Sequence, residues 1–133
     1  DVRFVVSLDE LEHELVRPAT EDARVHFALV CAAEGCPPLA REPFAHGDLD
    51  RRLAARTALA LGDPRWARHD ADANVLHLSR LFEWYAGDFE RDAGSVLAFV
   101  ARHVPSVRAA LEAGDAPAIA WLPYDWSLNA GRD

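Results

Sequence analysis

The sequence contains no lysine and no methionine, and only two of its 133 residues are cysteine. All the basic side chains are therefore arginine, and they are scattered among acidic residues rather than grouped. Nucleic acids and anionic membranes bind clusters of lysine and arginine, and the formal net charge here is −8. We therefore expect neither as a partner. Two cysteines also exclude a disulfide framework.

Long hydrophobic runs are missing as well. No segment approaches the roughly 18 apolar residues that a transmembrane helix needs, so we expect no membrane insertion, and no secretory leader is visible. The lack of methionine, even at the first position, predicts a processed, fragmentary or trimmed chain. Half of the residues are hydrophobic, which fits one soluble domain spanning residues 1–133. The Ala, Arg, Asp and Val bias indicates a high-GC bacterial source. Localisation stays open between the cytoplasm and a secreted or periplasmic compartment.

The start of the first helix is predicted by Ser7-Leu-Asp-Glu10, a capping-box pattern with serine at the cap and glutamate three residues later. The pattern predicts a helix from about Leu8 to Arg17, ended by Pro18. Its predicted apolar stripe consists of three leucines, Leu8, Leu11 and Leu15. Glu12 falls inside that stripe, so it should have a cationic or hydrogen-bonding partner. The solvent side is predicted to carry His13 and Arg17.

Strands and helices are predicted at several further places along the chain. The predicted strands are Val2–Val6, Arg24–Cys31, Trp66–His69, Val75–Leu78 and Ala118–Leu122. The predicted helices follow Asp48, Ser79, Ser95 and Pro105. The third and fourth strands flank the polar loop 70–74 and predict a β-hairpin. The expected fold class is α+β, with a small antiparallel sheet of three to five strands packed against several short helices.

Several motifs, in this order, resemble the domain of unknown function 547 family. They are Ser7–His13 with Arg17, Arg24–Cys31, Cys36–Leu39, Leu78–Phe89 and Tyr124–Asn129. The resemblance covers nearly the whole chain, but the biochemical activity of the family is not established. Some members are fused to glutaredoxin-like modules, which implies thiol chemistry by association. An amino-terminal part with a Trp…Asn-Ala-Tyr-Asn type motif is usual in the family and absent here. The resemblance therefore implies the central and C-terminal part of a family domain.

The densest motif, His26–Cys36, is the best candidate site. A cysteine beside a histidine is the pattern of a nucleophilic enzyme. In a strand, however, His26 and Cys31 would lie roughly 16 Å apart and on opposite faces. A direct pair is therefore not expected without a bulge, and His13 or His77 are the alternative bases for Cys31. Cys31 itself is otherwise explained as a small buried residue at the end of a core strand.

Two further interpretations of these residues stay open. The five-residue separation allows a Cys31–Cys36 disulfide, although two free thiols fit equally well. Metal binding would use Cys31, Cys36, His26 and His13, but their spacing matches no strong zinc pattern. His69 and His77 lie on opposite arms of the hairpin and can face each other. We predict neither a metal nor a cofactor.

Glu12 is expected to pair with Arg24 or His26, which share one face of the predicted strand. Such a pair would either hold the fold or orient an imidazole for catalysis. The candidate catalytic residues are thus Cys31, Cys36, His26, His13 and Glu12. The candidate binding residues are Arg24, Arg17, Trp84, Tyr124, Asp125 and Trp126.

The predicted function is a binding or scaffold module with a Cys/His/Glu-centred motif. One alternative is a thiol-dependent hydrolase or transferase that uses Cys31 or Cys36. Another is thiol redox sensing through a Cys31–Cys36 disulfide. The partner would be a small molecule or a protein, and the sequence does not identify it.

Overall fold

A computed structural model describes residues 5–130, apart from the side chain of His46. Six helices lie along these residues: α1 (residues 8–19), α2 (Leu49–Leu61), α3 (Leu81–Trp84), α4 (Ala86–Ala93), α5 (Val96–Ala101) and α6 (Pro105–Glu112). Short 3₁₀ helices span Ala23–Phe27 and His46–Asp48. The strands are β1 (Ala67–Asp70), β2 (Val75–Ser79) and β3 (Ala118–Leu122). Of the predicted strand Val2–Val6, residues 2–4 lie outside the described part, and Val5 and Val6 form no regular structure.

The three strands form one mixed sheet in the order β1-β2-β3. The predicted hairpin is present, since β1 and β2 pair antiparallel with Ala67 opposite Leu78. In contrast, β2 and β3 run parallel, with Val75 opposite Ala118. The α+β class is confirmed, whereas a purely antiparallel sheet was the wrong expectation. Helices α3–α6 connect the end of β2 to the start of β3. They bring the chain back to the end of the sheet where β2 begins, which is the crossover that parallel pairing requires.

The hairpin register separates its two histidines. His69 lies opposite Leu76, and His77 lies opposite Arg68. Because neighbouring residues of a strand point to opposite faces of the sheet, His69 and His77 point away from each other, so the expectation that they face each other was wrong. The His69 ring instead lies 2.9 Å from the hydroxyl of Ser106.

The capping box of α1 forms as predicted. The Ser7 hydroxyl accepts a hydrogen bond from the Glu10 N–H at 3.1 Å, and the Glu10 carboxylate accepts one from the Ser7 N–H at 2.7 Å. The helix continues past Pro18 to Ala19, and its middle, Leu11–Val16, has π-helical hydrogen bonds.

The predicted apolar stripe of α1 was wrong, because its three leucines are exposed and Leu8 is 82% accessible. The half-buried positions are Glu12, Val16, Arg17 and Thr20. A π-helix bonds each residue to the fifth one along rather than the fourth, so its faces do not follow the 100° step on which the stripe was based. Arg17 therefore points toward the protein rather than into solvent.

The predicted strand Arg24–Cys31 was also wrong. Its first part is the 3₁₀ helix Ala23–Phe27, capped by the Asp22 carboxylate, which accepts a hydrogen bond from the Arg24 N–H at 3.0 Å. The buried residues are Ala23, His26 and Phe27, which is helical spacing. Residues 29–31 that follow are irregular.

The core contains an aromatic cluster beneath this 3₁₀ helix. Phe27, Phe82, Phe89 and Phe99 are almost completely buried, and the Phe82–Phe89 and Phe89–Phe99 ring centroids both lie 4.8 Å apart. Phe82 comes from α3 and Phe89 from α4. The cluster anchors the 3₁₀ helix against α3–α5 and so fixes where His26 points. Within residues 5–130, no helix has the length and apolar character needed to cross a membrane.

Candidate functional site

Both cysteines line a cavity of about 170 Å³ that opens between α1, α3 and the loop after the 3₁₀ helix. Seven of the residues singled out in the sequence lie in its wall: Glu12, His26, Cys31, Cys36, Trp84, Tyr124 and Trp126. Tyr85 completes the polar part of the wall, and Leu29, Val30 and Leu81 supply apolar surface. The fold therefore unites residues that the extended-strand interpretation had separated.

Four other candidates lie away from this cavity. His13 is exposed and bonds to the Asp9 carbonyl within its own helix at 3.2 Å. Arg24 is engaged by Asp22 and Asp50, and the Asp125 carboxylate accepts a hydrogen bond from the Ser127 N–H at 2.9 Å. Arg17 lies behind the cavity wall, beside Asp88. The pairing of Glu12 with Arg24 or His26 was also wrong, because the Glu12 carboxylate accepts a hydrogen bond from the Tyr85 hydroxyl at 2.9 Å.

The two cysteines occupy different environments on one short loop. Both are free thiols, with Cys31 exposed and Cys36 only 8% accessible. Cys31 is therefore not the buried end of a strand, as one interpretation had it. The Cys31 N–H donates to the Cys36 sulfur at 2.8 Å, and the loop folds back tightly because Ala32 has a positive φ of 60°.

The C-terminal segment closes over this loop. Ala33 forms a β-bridge with Leu128, and the Gly35 N–H donates to the Asp125 carbonyl at 2.9 Å. These contacts bring the Tyr124 hydroxyl to 3.4 Å from the Cys31 sulfur. Residues more than 90 positions apart in sequence thus meet at one thiol.

The surroundings of the two thiols separate their acidities. Burial by itself raises the pKa of Cys31, but the approach of the Cys36 thiol, the Tyr124 hydroxyl and the Ala33 N–H outweighs it and lowers that pKa below its usual value. Burial and the neighbouring Cys31 raise the pKa of Cys36 to about 11. Because the thiolate is the reactive form of cysteine, the lowered pKa makes Cys31 the more reactive candidate of the two, whereas the raised pKa keeps Cys36 protonated at neutral pH.

Gly35 controls how closely the C-terminal segment approaches. A Cβ at this position would lie 3.0 Å from Cε2 of Tyr124 and 3.1 Å from the Asp125 backbone. We expect Gly35→Ala to cost about 1–3 kcal/mol of unfolding free energy through overpacking and to raise the Cys31 pKa by displacing Tyr124. Urea unfolding and the pH dependence of thiol alkylation measure the two effects.

Gly47→Ala is the matched control, since a Cβ at Gly47 would meet nothing within 4 Å. Its Cys31 pKa should equal that of the wild type. An unchanged Cys31 pKa in the Gly35 variant would contradict the role assigned to this close approach.

An aromatic rim borders the cavity. The rings of Trp84, Tyr124 and Trp126 lie with centroids 4.6–5.5 Å apart. Trp126 is nonetheless largely exposed, and Trp84 is about half exposed. Exposed aromatic side chains in mutual contact beside a cavity provide a rigid apolar surface for a ligand.

A buried polar network forms the far wall. The His26 ring is buried and stacks on Tyr85 with centroids 3.9 Å apart. Its Nε2 lies 2.8 Å from the Asp88 carboxylate, which also accepts a hydrogen bond from Nε of Arg17 at 3.0 Å. Arg91 donates to the other Asp88 oxygen at 3.1 Å.

The charges in this network are fixed by its geometry. Burial raises the pKa of Asp88, but the hydrogen bonds from Arg17 and His26, together with the positive charge of Arg17, outweigh it and hold the pKa at about 2. Burial lowers the pKa of His26, and Asp88 only partly opposes this effect. Asp88 is thus ionised and can only accept, so the neutral ring carries its proton on Nε2. Among the residues that the structure describes, Nδ1 of His26 has no hydrogen-bond partner.

The cavity wall therefore contains an exposed thiol, a neutral imidazole and a carboxylate. No hydrogen bond joins Cys31 to His26 within residues 5–130, so the two are not a preformed pair. In the same part of the chain, no group of three or more His, Cys, Asp or Glu side chains could hold a metal ion.

Asp88 and Tyr85 take part in the candidate site but were not among the residues predicted from the sequence. Asp88 stands in an aromatic segment of the sequence, next to Phe89. Tyr85 lies between α3 and α4, so a regular helix pattern contained no signal that Tyr85 and Asp88 belong to one site.

Comparison with known proteins identifies a family over part of the chain. Residues 4–59 match the family described as "Protein of unknown function, DUF547". The predicted resemblance is confirmed as this partial match, whereas the motifs at 78–89 and 124–129 lie outside it. Neither the curated proteins nor the solved structures contain a significant match.

Proposed function

We propose that this domain is a thiol-dependent hydrolase or transferase with Cys31 as its nucleophile. The observation that carries the proposal is the position of the Cys31 sulfur, which lies in the cavity wall against the Tyr124 hydroxyl. A cysteine that only filled space would need neither access to a cavity nor neighbours that favour its thiolate. This geometry favours catalysis over the binding or scaffold role that the sequence alone predicted.

The reaction would be an acyl transfer in two steps. The Cys31 thiolate attacks a carbonyl carbon, which forms a thioester and expels the leaving group, and the leaving group takes a proton from solvent. Water or another acceptor then attacks the thioester, loses its proton and releases the thiolate. The thiol is unchanged at the end of the cycle, and no oxidant or reductant is consumed.

His26 is suited to take the proton in the second step. Within residues 5–130, Nδ1 of His26 has no hydrogen-bond partner, because Asp88 binds the ring at Nε2. The ring belongs to the wall of the same cavity. A neutral imidazole oriented by a carboxylate is a common general base. Asp88 would be a positioning residue, because it acts through His26.

The size of the cavity limits what it encloses. About 170 Å³ is less than the roughly 300–1,000 Å³ of pockets that hold a drug-sized molecule. Only the reacting end of a ligand would fit, and the remainder would lie on the rim of Trp84, Tyr124 and Trp126. The ligand therefore needs a small reactive group attached to an apolar or aromatic part.

Alkylation of the native protein by iodoacetamide across a pH series tests the nucleophile. We expect an apparent pKa clearly below about 8.5 for Cys31 and little reaction at Cys36, with peptide mass spectrometry assigning the site. In Tyr124→Phe, the loss of one hydrogen bond to the thiolate should raise the Cys31 pKa by about one unit.

Tyr85→Phe is the matched control, because Tyr85 lines the same cavity but bonds to Glu12 rather than to Cys31. It should leave the Cys31 pKa unaltered. A wild-type Cys31 pKa at or above 8.5 would contradict an activated nucleophile and would favour the binding or scaffold role.

Reaction with p-nitrophenyl acetate separates the enzyme from a binding module. We expect a burst of p-nitrophenol with acetylation of Cys31, followed by slower turnover. Cys31→Ser should abolish the acetylation, and His26→Gln should slow turnover more than the burst. Equal acetylation of wild type and Cys31→Ser would argue against the proposal.

A further inference from the structure

The two cysteines have complementary properties that acyl transfer does not use. Cys31 is exposed at the cavity, whereas Cys36 is buried and protonated. Both belong to the cavity wall and to one loop. An accessible thiolate beside a buried thiol is the arrangement in which an oxidised cysteine is captured by a second one.

The loop holds the two groups together without a bond between the sulfurs. The backbone of Cys31 donates directly to the Cys36 sulfur at 2.8 Å. The left-handed Ala32, with a φ of 60°, folds the chain back between them, and the Cys36 N–H donates to the Ala33 carbonyl at 3.0 Å. Residues 31–36 include no helix or strand, so no such element would have to break for the sulfurs to meet.

The two thiols differ in how easily an oxidant reaches them, which sets the order in which they would react. A small oxidant reaches Cys31 from solvent or through the cavity, and the lowered pKa of Cys31 supplies the thiolate that attacks it. Cys36 is shielded, and the pKa raised by its burial keeps its proton in place. Oxidation would therefore begin at Cys31, and Cys36 would respond to the product.

We infer that Cys31 and Cys36 form a modification site for peroxides, in which Cys31 is oxidised and Cys36 resolves it as a disulfide. In the first step the Cys31 thiolate attacks one peroxide oxygen, the O–O bond breaks, and Cys31 becomes a sulfenic acid while hydroxide or alkoxide leaves. In the second step the Cys36 sulfur attacks the Cys31 sulfur and the S–O bond breaks. The Cys36 proton leaves with the hydroxyl group as water. Two electrons pass from the thiols to the peroxide.

This inference rests on the nucleophilic Cys31 of the proposed function, but not on acyl transfer. Disulfide formation would also remove the Cys31 thiolate, so oxidised protein should show no p-nitrophenyl acetate burst. A thiol reductant should restore the burst by returning both cysteines to thiols.

The test treats the full chain with a small molar excess of hydrogen peroxide and measures its intact mass. The mass of the wild type should fall by two hydrogens, and peptide mapping should show a disulfide between Cys31 and Cys36. Cys36→Ser should instead accumulate a sulfenic acid on Cys31 that dimedone traps, and Cys31→Ser should show neither change. Near-UV circular dichroism from the four tryptophans verifies that each variant is folded, and Cys36→Ala replaces Cys36→Ser if the serine variant unfolds.

Stable sulfenic or sulfinic acid on wild-type Cys31, without loss of two hydrogens, would overturn the resolving role of Cys36. Failure of this inference remains distinguishable from failure of the proposed function. Iodoacetamide and p-nitrophenyl acetate report on Cys31 in reduced protein, whereas the mass loss requires both cysteines.

Discussion

Phe27→Ala should lower the free energy of unfolding by about 3–5 kcal/mol, which is the usual cost of removing a buried phenylalanine ring. Phe27 is completely buried, and its ring lies 5.8 Å from that of Phe82 and 6.1 Å from that of Phe89, measured between centroids. Since single domains are stable by only about 5–15 kcal/mol, the variant should be close to unfolding. Urea denaturation followed by circular dichroism measures the loss.

Two controls separate a cavity effect from a general one. Phe27→Leu leaves most of the volume filled and should cost less than half as much, whereas Leu39→Ala changes an exposed side chain and should alter stability by no more than about 0.5 kcal/mol. A loss below about 1.5 kcal/mol for Phe27→Ala would show that the 3₁₀ helix is not anchored through this ring.

Asp88→Asn should have the second largest effect, because it removes the charge that faces Arg17, His26 and Arg91. The pKa of Asp88 is held at about 2, against an ordinary value of 3.8. The ionised carboxylate therefore contributes on the order of 2 kcal/mol to stability. This contribution is complete above pH 4 and is lost as the pH falls toward 2, so the wild type and the variant should converge in acid.

Asp92→Asn is the control on the same helix. Asp92 bonds to the Ala23 N–H and to Arg102 and does not contact His26. Both variants should lose stability, but only Asp88→Asn should alter the His26 pKa, which NMR titration of the ring protons measures. An unaltered His26 titration in Asp88→Asn would show that Asp88 does not position the imidazole.

Local signals in the sequence located most of the regular elements. The capping box at Ser7, the polar loop between β1 and β2 and the apolar run Ala118–Leu122 each predicted an element that the structure contains. In these places the chain's own hydrogen bonds or side-chain alternation decide the conformation, so neighbouring residues carry enough information. The antiparallel assignment of the whole sheet failed, because the direction of β3 depends on the four helices before it.

The candidate site shows the same division more sharply. Its residue types were predicted, but strand geometry placed His26 and Cys31 on opposite faces. Instead, the Asp22 cap starts a 3₁₀ helix, and the aromatic core buries Phe27 together with His26. The apolar residues of Arg24–Cys31 were interpreted as a strand. A short apolar segment that is buried can equally be helical, so its composition does not distinguish the two conformations.

What the sequence by itself determined is the helix caps at Ser7 and Ser95, the hairpin, the α+β class and the chemical types gathered around His26–Cys36. Tertiary structure alone decided that Tyr124 meets the Cys31 sulfur and that Asp88 holds His26, across 93 and 62 positions. It also made Cys31 rather than Cys36 the accessible thiol. The physical reason is that burial and hydrogen bonding set the acidity of a thiol or an imidazole, and both depend on groups that only folding brings near.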